Sequence, residues 1–286
     1  MGGYDFMAAV DSHLSEYGTV VFNFQHLVCI LHLSITMPHA GKYTKLFLES
    51  NGNLITECTL NLTDGEVTTI KESPIQVLNL KDVFLNPDNL VLDSYVVMRP
   101  KDLTSNTLTV KVMDDVGNVY AIDRGLGGRV FEAGAIYHAT RYASLASEST
   151  GLPLVYINTP NNESITSKDI WLDPLTTITA INLDGSIDYE AADLAIKGRG
   201  NSTWQLPKKP YALKLGAKSE ILGMKKHKRW CLLANWMDRT NIRNDIAFHI
   251  AKQTNLAWTP SGKFVELILN GEHKGNYYLC EQIQVD

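Results

Sequence analysis

Basic side chains dominate one short part of this 286-residue sequence, residues 197–229. The segment has ten lysines and arginines and one acid, Glu220, so its formal charge is +9 in a chain whose net charge is −5. A cluster of one sign attracts phosphates and other polyanions, which lysine and arginine bind through charge-assisted hydrogen bonds. The alternative interpretation is a solvated basic surface without a specific ligand. The basic residues are Lys197, Arg199, Lys208, Lys209, Lys214, Lys218, Lys225, Lys226, Lys228 and Arg229.

A glycine-bearing turn, residues 198–201, lies near the start of this basic segment, between two predicted strands. Glycines in such a turn leave backbone N–H groups open to a phosphate. Arg199 and a following lysine would add charge-assisted bonds, and the sequence leaves Lys208, Lys209 and Lys214 open as that lysine. A plain hairpin turn is the competing interpretation.

Two further segments combine polar side chains with strand ends. Residues 235–241 join an apolar strand to a helix, and we prefer Asp238 as a helix cap over Asp238 as a catalytic acid. Asn270-Gly271 lies between two apolar runs and predicts a β-hairpin, because Asn-Gly suits the tightest hairpin turns. Glu281 ends the second of these predicted strands.

The elements that must position these residues differ between the two halves of the chain. In the first half, short runs of alternating or apolar residues separated by turn residues predict an all-β sandwich. Val20–Ile35 reads as one strand with a bulge near His26, and Asn51-Gly52-Asn53 reads as a turn between strands at 45–49 and 57–62. The other predicted strands are at 76–80, 90–98, 107–113, 118–123 and 134–143.

The second half predicts an α+β domain. Strands are predicted at 154–158, 178–182, 193–197, 211–215, 230–234, 264–269 and 277–283. One helix is predicted over 241–254, capped by Asp238 or Thr240. Its apolar residues Ile242, Ile246 and Ile250 recur at helical spacing, which predicts one buried face.

Charge and tryptophan content also separate the halves. Residues 1–150 carry 10 basic and 17 acidic residues, a net of −7, whereas residues 151–286 carry 16 and 14, a net of +2. All five tryptophans lie in the second half. The small, polar, turn-forming stretch 144–153 predicts the boundary between two domains.

Composition excludes several classes of protein. The 44% hydrophobic and 20% charged content is that of a globular chain and not of a disordered one. A pI near 5.9 argues against a dedicated nucleic-acid binder, and no run is apolar for the roughly 20 residues of a transmembrane helix. The four cysteines lack the spacing of a zinc site. We prefer to interpret them as buried free thiols, and one disulfide bridge in each half is the alternative.

Taken in order, five motifs resemble the spore coat protein H (CotH) kinase family over about residues 152–286. CotH proteins are atypical protein kinases with a divergent two-lobed fold, which use ATP and a divalent metal such as magnesium to phosphorylate serines on secreted or coat proteins. The motifs are LPLVYI (152–157), IKGRGNSTW (196–204), PKKPYALKL (207–215), KRWCLLANWMDRTNIRN (228–244) and FVELILNGEHKGNYYLCEQI (264–283).

The resemblance implies that residues 152–286 form the N-terminal lobe, with the glycine turn covering the phosphates and the hinge beginning at residue 281. Lys214 is favoured as the phosphate lysine because it lies within a predicted strand. The helix would occupy the place of the regulatory helix, with Arg243 and Asn244 at its start. The implied nucleotide-binding residues are Gly198, Arg199, Gly200, Asn201, Lys209, Lys214, Glu281 and Ile283.

The resemblance also implies an absence. The family's catalytic and metal-binding aspartates follow the hinge, beyond Asp286, so we expect no catalytic or metal-binding residue in these 286 residues. Phosphoryl transfer depends on such positioning and metal electrostatics. We therefore expect a fragment of a larger kinase that does not catalyse the reaction by itself.

The first half is similar to the fimbrillin-like β-sandwich domains of bacterial surface proteins, over about residues 15–145. The stretches that carry this weaker resemblance are 21–27 and 137–143. It implies an accessory domain, residues 1–147, without catalytic residues, and a cell-surface or extracytoplasmic location.

Two functions are consistent with these sequence features. The first is a fragment of a CotH-type kinase whose partners are ATP and a secreted or surface protein. The second is a non-catalytic adhesion or binding protein that uses a CotH-like module to bind anionic ligands such as glycans.

Overall fold

The computed structural model describes residues 7–14, 20–61, 63–147 and 150–283. The chain separates into two compact units, Met1–Thr150 and Gly151–Asp286. The predicted domains, 1–147 and 152–286, stay a prediction, because dense contacts within a unit do not decide whether it folds alone.

The first unit consists of strands and loops in its described part. Its largest sheet has seven strands in the order β5-β4-β8-β9-β11-β3-β6, and the pairs β1-β2 and β7-β10 form two small sheets. The strands are β1 (Met7–Leu14), β2 (Val20–His26), β3 (Cys29–Thr36), β4 (Gly41–Leu60), β5 (Val67–Leu85), β6 (Val91–Met98), β7 (Lys101–Asp102), β8 (Leu108–Asp114), β9 (Val119–Ile122), β10 (Val130–Phe131) and β11 (Ile136–Ser147).

Strand β11 connects the two parts of the large sheet. Its residues 136–142 pair in parallel with β3, and its residues 143–147 pair antiparallel with β9. Both parts contribute to one core that includes Leu31, Leu46 and Val110. The predicted β character of this half is confirmed, and the sandwich arrangement itself stays a prediction.

Two local predictions in this unit are wrong. Val20–Ile35 is not one bulged strand, since residues 27 and 28 separate β2 from β3. Asn51-Gly52-Asn53 does not turn the chain, because β4 runs on from residue 41 to residue 60. The register against β5 instead shifts between Glu49 and Leu54, so the turn-forming residues are accommodated as a bulge while Leu54 is fully buried.

The second unit is a closed barrel with the strand order β12-β13-β14-β15-β16-β18-β17. Parallel pairing of β12 with β17 closes it, and the other pairs are antiparallel. The elements are β12 (Leu154–Asn158), β13 (Leu172–Ile181), β14 (Ile187–Gly198), β15 (Tyr211–Ile221), β16 (Met224–Leu233), α1 (Arg243–Lys252), β17 (Gly262–Leu269) and β18 (Glu272–Glu281).

Successive side chains along each barrel strand point alternately into the barrel and towards its outer face. Tyr211 and Leu213 of β15 point into the barrel core beside Trp230, whereas Lys214 lies on the outer face. The Asn270-Gly271 hairpin is confirmed, with both residues at positive φ, 52° and 76°. Lys214 therefore lies on the outer face of the barrel, and the glycine turn lies between β14 and β15.

The predicted α+β organisation of the second half is wrong. Seven strands close on themselves, and the ten-residue helix α1 lies outside and has no buried residue. The predicted strands were also too short, because β15 and β16 continue through polar residues to the turn at Leu222-Gly223. The spacing of apolar residues does not predict such hairpin ends, because most of their side chains are polar and face solvent.

The predicted buried face of the helix is also wrong. Ile242, Ile246 and Ile250 are 45%, 47% and 57% exposed. The helix instead contacts the barrel through Phe248, whose ring centre is 6.0 Å from that of Tyr278, and through Asp245, which accepts a 2.9 Å hydrogen bond from the Tyr278 hydroxyl.

We expect the helix contacts to be carried by Phe248 and not by the isoleucine stripe. Ile246→Glu should change the free energy of unfolding by less than about 0.5 kcal/mol, as exposed substitutions do, whereas Phe248→Ala should lower it by about 2 kcal/mol through lost apolar burial. Urea unfolding of both variants checks this. A larger loss for Ile246→Glu than for Phe248→Ala would contradict the observed packing.

Candidate functional site

Two glycines shape the loop between β14 and β15. The indole of Trp204 lies so close to Gly198 that a Cβ atom there would overlap it. Gly200 has a φ of +86°, a region that favours glycine, and a Cβ atom would overlap the Thr203 hydroxyl. The loop conformation thus requires glycine at both predicted positions.

Hydrogen bonds from Arg199 and Lys209 hold the same loop in place. The backbone N–H of Arg199 donates to the carbonyl of Pro210 over 3.2 Å. Lys209 Nζ donates to the carbonyl of Trp204 over 2.8 Å and lies 5.3 Å from the centre of the indole ring. Lys209 therefore holds the loop in place.

A basic cavity of about 400 Å³ adjoins this loop. Four basic side chains line it, Lys168, Lys197, Arg199 and Arg229, against the one carboxylate of Asp169. No ion pair engages Arg199 or Arg229 in the part of the chain that the structure describes. The remaining lining residues are Trp171, Gly198, Gly200, Asn201, Ala212 and Gln282.

An apolar cavity of about 530 Å³ lies next to the basic one, and Arg199 and Gln282 line both. Its wall consists mainly of apolar side chains on the outer face of β16 and β18, on the loop and on α1. The apolar residues that line it include Leu206, Pro210, Cys231, Leu233, Ala234, Met237, Phe248 and Cys280. The two cavities together offer one apolar and one cationic compartment, joined at Arg199.

Lys208 also lines the apolar cavity, but its ammonium is already engaged. Lys208 Nζ donates to the carbonyl of Asn276 and lies 4.6 Å from the centre of the Tyr277 ring. Burial lowers the pKa of Lys208, and the negative charge of Glu266 opposes this shift. Lys208 therefore contributes its aliphatic side-chain atoms, and not its ammonium group, to the cavity wall.

Six of the eight predicted nucleotide-binding residues line these cavities, and two do not. Lys209 fastens the loop, and Lys214 lies opposite Arg229 on the neighbouring strand without lining either cavity. Glu281 is 3% exposed, and one of its carboxylate oxygens accepts a 3.0 Å bond from the Ser261 N–H. The six lining residues are Gly198, Arg199, Gly200, Asn201, Glu281 and Ile283.

Sequence reasoning missed several members of the basic cavity, among them three of its four basic side chains. Lys197 and Arg229 lie in the basic segment but were not distinguished from its other cations. Lys168 and Trp171 precede the loop by about 30 residues, and only the barrel connection brings them beside it. Lys197 Nζ lies 4.8 Å from the centre of the Trp171 ring, which no sequence spacing indicates.

The turn into helix α1 is held by Asp238. Its Oδ2 accepts a 3.0 Å bond from the Arg243 N–H at the start of the helix, and its Oδ1 accepts a 2.7 Å bond from the Thr240 hydroxyl. The predicted cap, Asp238 or Thr240, is wrong, because the cap residue is Ile242 and it makes no side-chain cap bond. Asp238 instead holds the start of the helix from four positions before that residue, through its bond to the Arg243 N–H. The Thr240 hydroxyl, the backbone N–H groups and the charge of Arg243 together hold the pKa of Asp238 below its usual range, against burial.

We expect this turn to weaken in acid. Because the folded-state pKa of Asp238 is below the unfolded one, its contribution is fully present above the unfolded pKa and is lost as the pH falls towards the folded pKa. The protection of residues 243–246 against amide exchange, relative to the intrinsic rate at each pH, should fall in that window, and in Asp238→Ala it should be lower already at neutral pH. Equal exchange in the variant and the parent protein at neutral pH would contradict this.

Across residues 7–14, 20–61, 63–147 and 150–283, no group of three or more histidine, cysteine, aspartate or glutamate side chains is placed to hold a metal ion. Within those same ranges, no helix has the length and apolarity needed to cross a bilayer.

Comparison with known proteins supports the motif analysis over the site. The family profile described as CotH kinase protein matches residues 196–286. A crystal structure of a candidate cell adhesion protein from Bacteroides ovatus ATCC 8483 is similar over 44% of this chain and 46% of that chain, at 18% identity and a TM-score of 0.30. No curated protein sequence matches the chain.

Proposed function

We propose that residues 151–286 bind ATP, as the nucleotide-facing half of an atypical protein kinase of the CotH type. One observation carries this proposal: an apolar cavity of about 530 Å³ and a basic cavity of about 400 Å³ adjoin each other and share Arg199. The CotH kinase match covers the residues that line most of both cavities. The substrate class, a secreted or surface protein, and an extracytoplasmic location belong to the same proposal.

The two compartments fit the two parts of a nucleotide. A purine is flat and weakly polar, and it suits a cavity walled by Leu206, Leu233 and Phe248, since ligand pockets are mainly apolar with a few polar groups. A triphosphate suits the basic cavity, because four basic side chains line it, Lys168, Lys197, Arg199 and Arg229. Arg199 lies where the base and the phosphates of one ligand would meet.

The residues that line the two cavities suit ATP better than they suit the magnesium ion that accompanies it. Asp169 is the one carboxylate lining the basic cavity, and magnesium in nucleotide sites needs carboxylate and phosphate oxygens together. These residues are therefore proposed to bind the nucleotide, and no catalytic step is assigned to them.

A second function, binding of anionic ligands without catalysis, is favoured by the basic cavity taken alone. Glycan sulfates or phosphorylated partners need the cations but not the apolar cavity. The two functions therefore differ in whether the apolar cavity contributes to affinity.

Calorimetric titration with ATP, adenosine and tripolyphosphate separates these functions. Under the kinase proposal, ATP binds at least about tenfold more tightly than either of its parts, since both compartments contribute. Equal affinity for ATP and tripolyphosphate would contradict the proposal and favour the anion-binding module. The affinities should be compared at one fixed ionic strength, because charge attraction is screened by salt.

A further inference from the structure

Two cysteines lie side by side in the wall of the apolar cavity. Cys231 of β16 and Cys280 of β18 are direct partners across antiparallel strands. Both point to the outer face, where they form a small apolar cluster with Tyr278, and both line the cavity. They are 2% and 3% exposed, so the cavity is the route by which a small reagent reaches them.

The spacing of the pair suits a disulfide. Residues directly opposite on antiparallel strands have Cα atoms about 4.5 or 5.5 Å apart, and both values lie within the range of about 4.4–6.8 Å found for disulfides. Both thiols are free in the structure. The strands already hold the two side chains together, so little chain movement is needed to join them.

We propose that Cys231 and Cys280 form a redox-active dithiol, which a small-molecule disulfide entering the apolar cavity oxidises to an intrachain disulfide. The first step is attack of the Cys231 thiolate on the reagent, which forms a mixed disulfide and expels one thiolate. Cys280 then loses its proton to the solvent or to the expelled thiolate, attacks Cys231 Sγ and expels the second thiolate. One disulfide is reduced to two thiols while the protein dithiol loses two electrons and two protons.

The surroundings of the two thiols favour this order. A hydrogen bond from Cys280 lowers the pKa of Cys231, burial opposes the shift, and the positive charge of Arg199 supports it. The pKa of Cys280 is raised by the same hydrogen bond and by burial. The thiolate is the attacking species in thiol–disulfide exchange, so Cys231 attacks and Cys280 resolves.

The other two cysteines serve as internal controls. Cys29 lies in the core of the first unit, where burial raises its pKa to about 11 and its thiol donates to the carbonyl of Met98 over 3.4 Å. Cys58 is half-buried on β4, opposite Thr69. Neither has a cysteine as its cross-strand partner.

Oxidation would also change the cavity that the proposed nucleotide occupies. A disulfide would join two separate side chains and so change the shape of the apolar wall against which the purine is proposed to pack. This regulatory part rests on the proposed function, whereas the oxidation itself does not. We expect oxidation to weaken ATP binding by about tenfold.

Mass mapping of the full chain after treatment with oxidised glutathione tests the chemistry. The expected product is a peptide pair joined through Cys231 and Cys280, reversed by reduced glutathione, with Cys29 unmodified. In Cys280→Ser, glutathione should stay attached to Cys231, and in Cys231→Ser little should attach to Cys280. If both thiols stay free in the folded protein under conditions that oxidise the unfolded chain, the proposal is overturned.

ATP titration of oxidised and reduced protein tests the regulatory part. A double variant, Cys231→Ala with Cys280→Ala, should bind ATP equally before and after the oxidant. If the wild-type disulfide forms and ATP affinity is unchanged, regulation is overturned and the redox pair stands. If reduced protein binds no ATP, the proposed function fails while the mass mapping still decides the redox inference.

Discussion

Arg199→Glu is expected to weaken ATP binding to this chain by about 10- to 100-fold. Arg199 lines both cavities and has no ion pair among the described residues, so its guanidinium is available to a phosphate. A charge-assisted hydrogen bond contributes about 1.5–3 kcal/mol, which corresponds to a change of that size. Isothermal titration at about 0.15 M salt measures it.

The matched controls are Lys225→Glu and Lys226→Glu. Both lysines are exposed on β16, lie in the same basic segment and line neither cavity. Because exposed charges are screened within about 8 Å at this ionic strength, each control should change the affinity by less than about threefold. Equal losses at Arg199, Lys225 and Lys226 would mean plain electrostatic attraction and would remove the case for a nucleotide site.

Trp230→Ala is expected to lower the stability of the second unit by about 3–5 kcal/mol, which is the usual cost of removing a buried tryptophan side chain. Trp230 is fully buried in the barrel core. All five tryptophans lie in residues 151–286, so intrinsic tryptophan fluorescence during urea unfolding reports on this unit alone. The fluorescence of the four remaining tryptophans still follows the transition.

Trp236→Ala is the control for the same measurement. Trp236 is 53% exposed, so its loss should cost less than about 1 kcal/mol. The barrel is what holds the loop and the cavity walls in place, so Trp230→Ala should also weaken ATP binding at urea concentrations where it begins to unfold. Similar unfolding midpoints for the two variants would contradict the barrel core described above.

Sequence reasoning found the site loop but not all that surrounds it. Glycine spacing identified residues 198–201 because the structure needs glycine there. Gly200 has a positive φ, and the indole of Trp204 leaves no room for a Cβ atom at Gly198. The choice among lysines was different. Lys209 is turned to Trp204, five residues earlier in the same loop, and residue type alone does not show where a flexible side chain is held.

Turns and the helix also show which features residue types predict and which depend on packing. Asn270-Gly271 turns the chain as predicted, whereas Asn51-Gly52-Asn53 becomes a bulge because the pairing of β4 with β5 resumes at Leu54 and continues to Leu60. The isoleucine spacing in α1 predicted the helix correctly but not its orientation. An apolar stripe indicates that a face is suited to burial, and only the packed structure decides which face contacts the barrel.

A crystal structure of this chain with a non-hydrolysable ATP analogue tests the central claim most directly. We expect the purine in the apolar cavity against Leu233 and Phe248, and the phosphates at Gly198–Asn201 within reach of Arg199. Phosphates bound instead along Lys225–Lys228, with the apolar cavity empty, would contradict it.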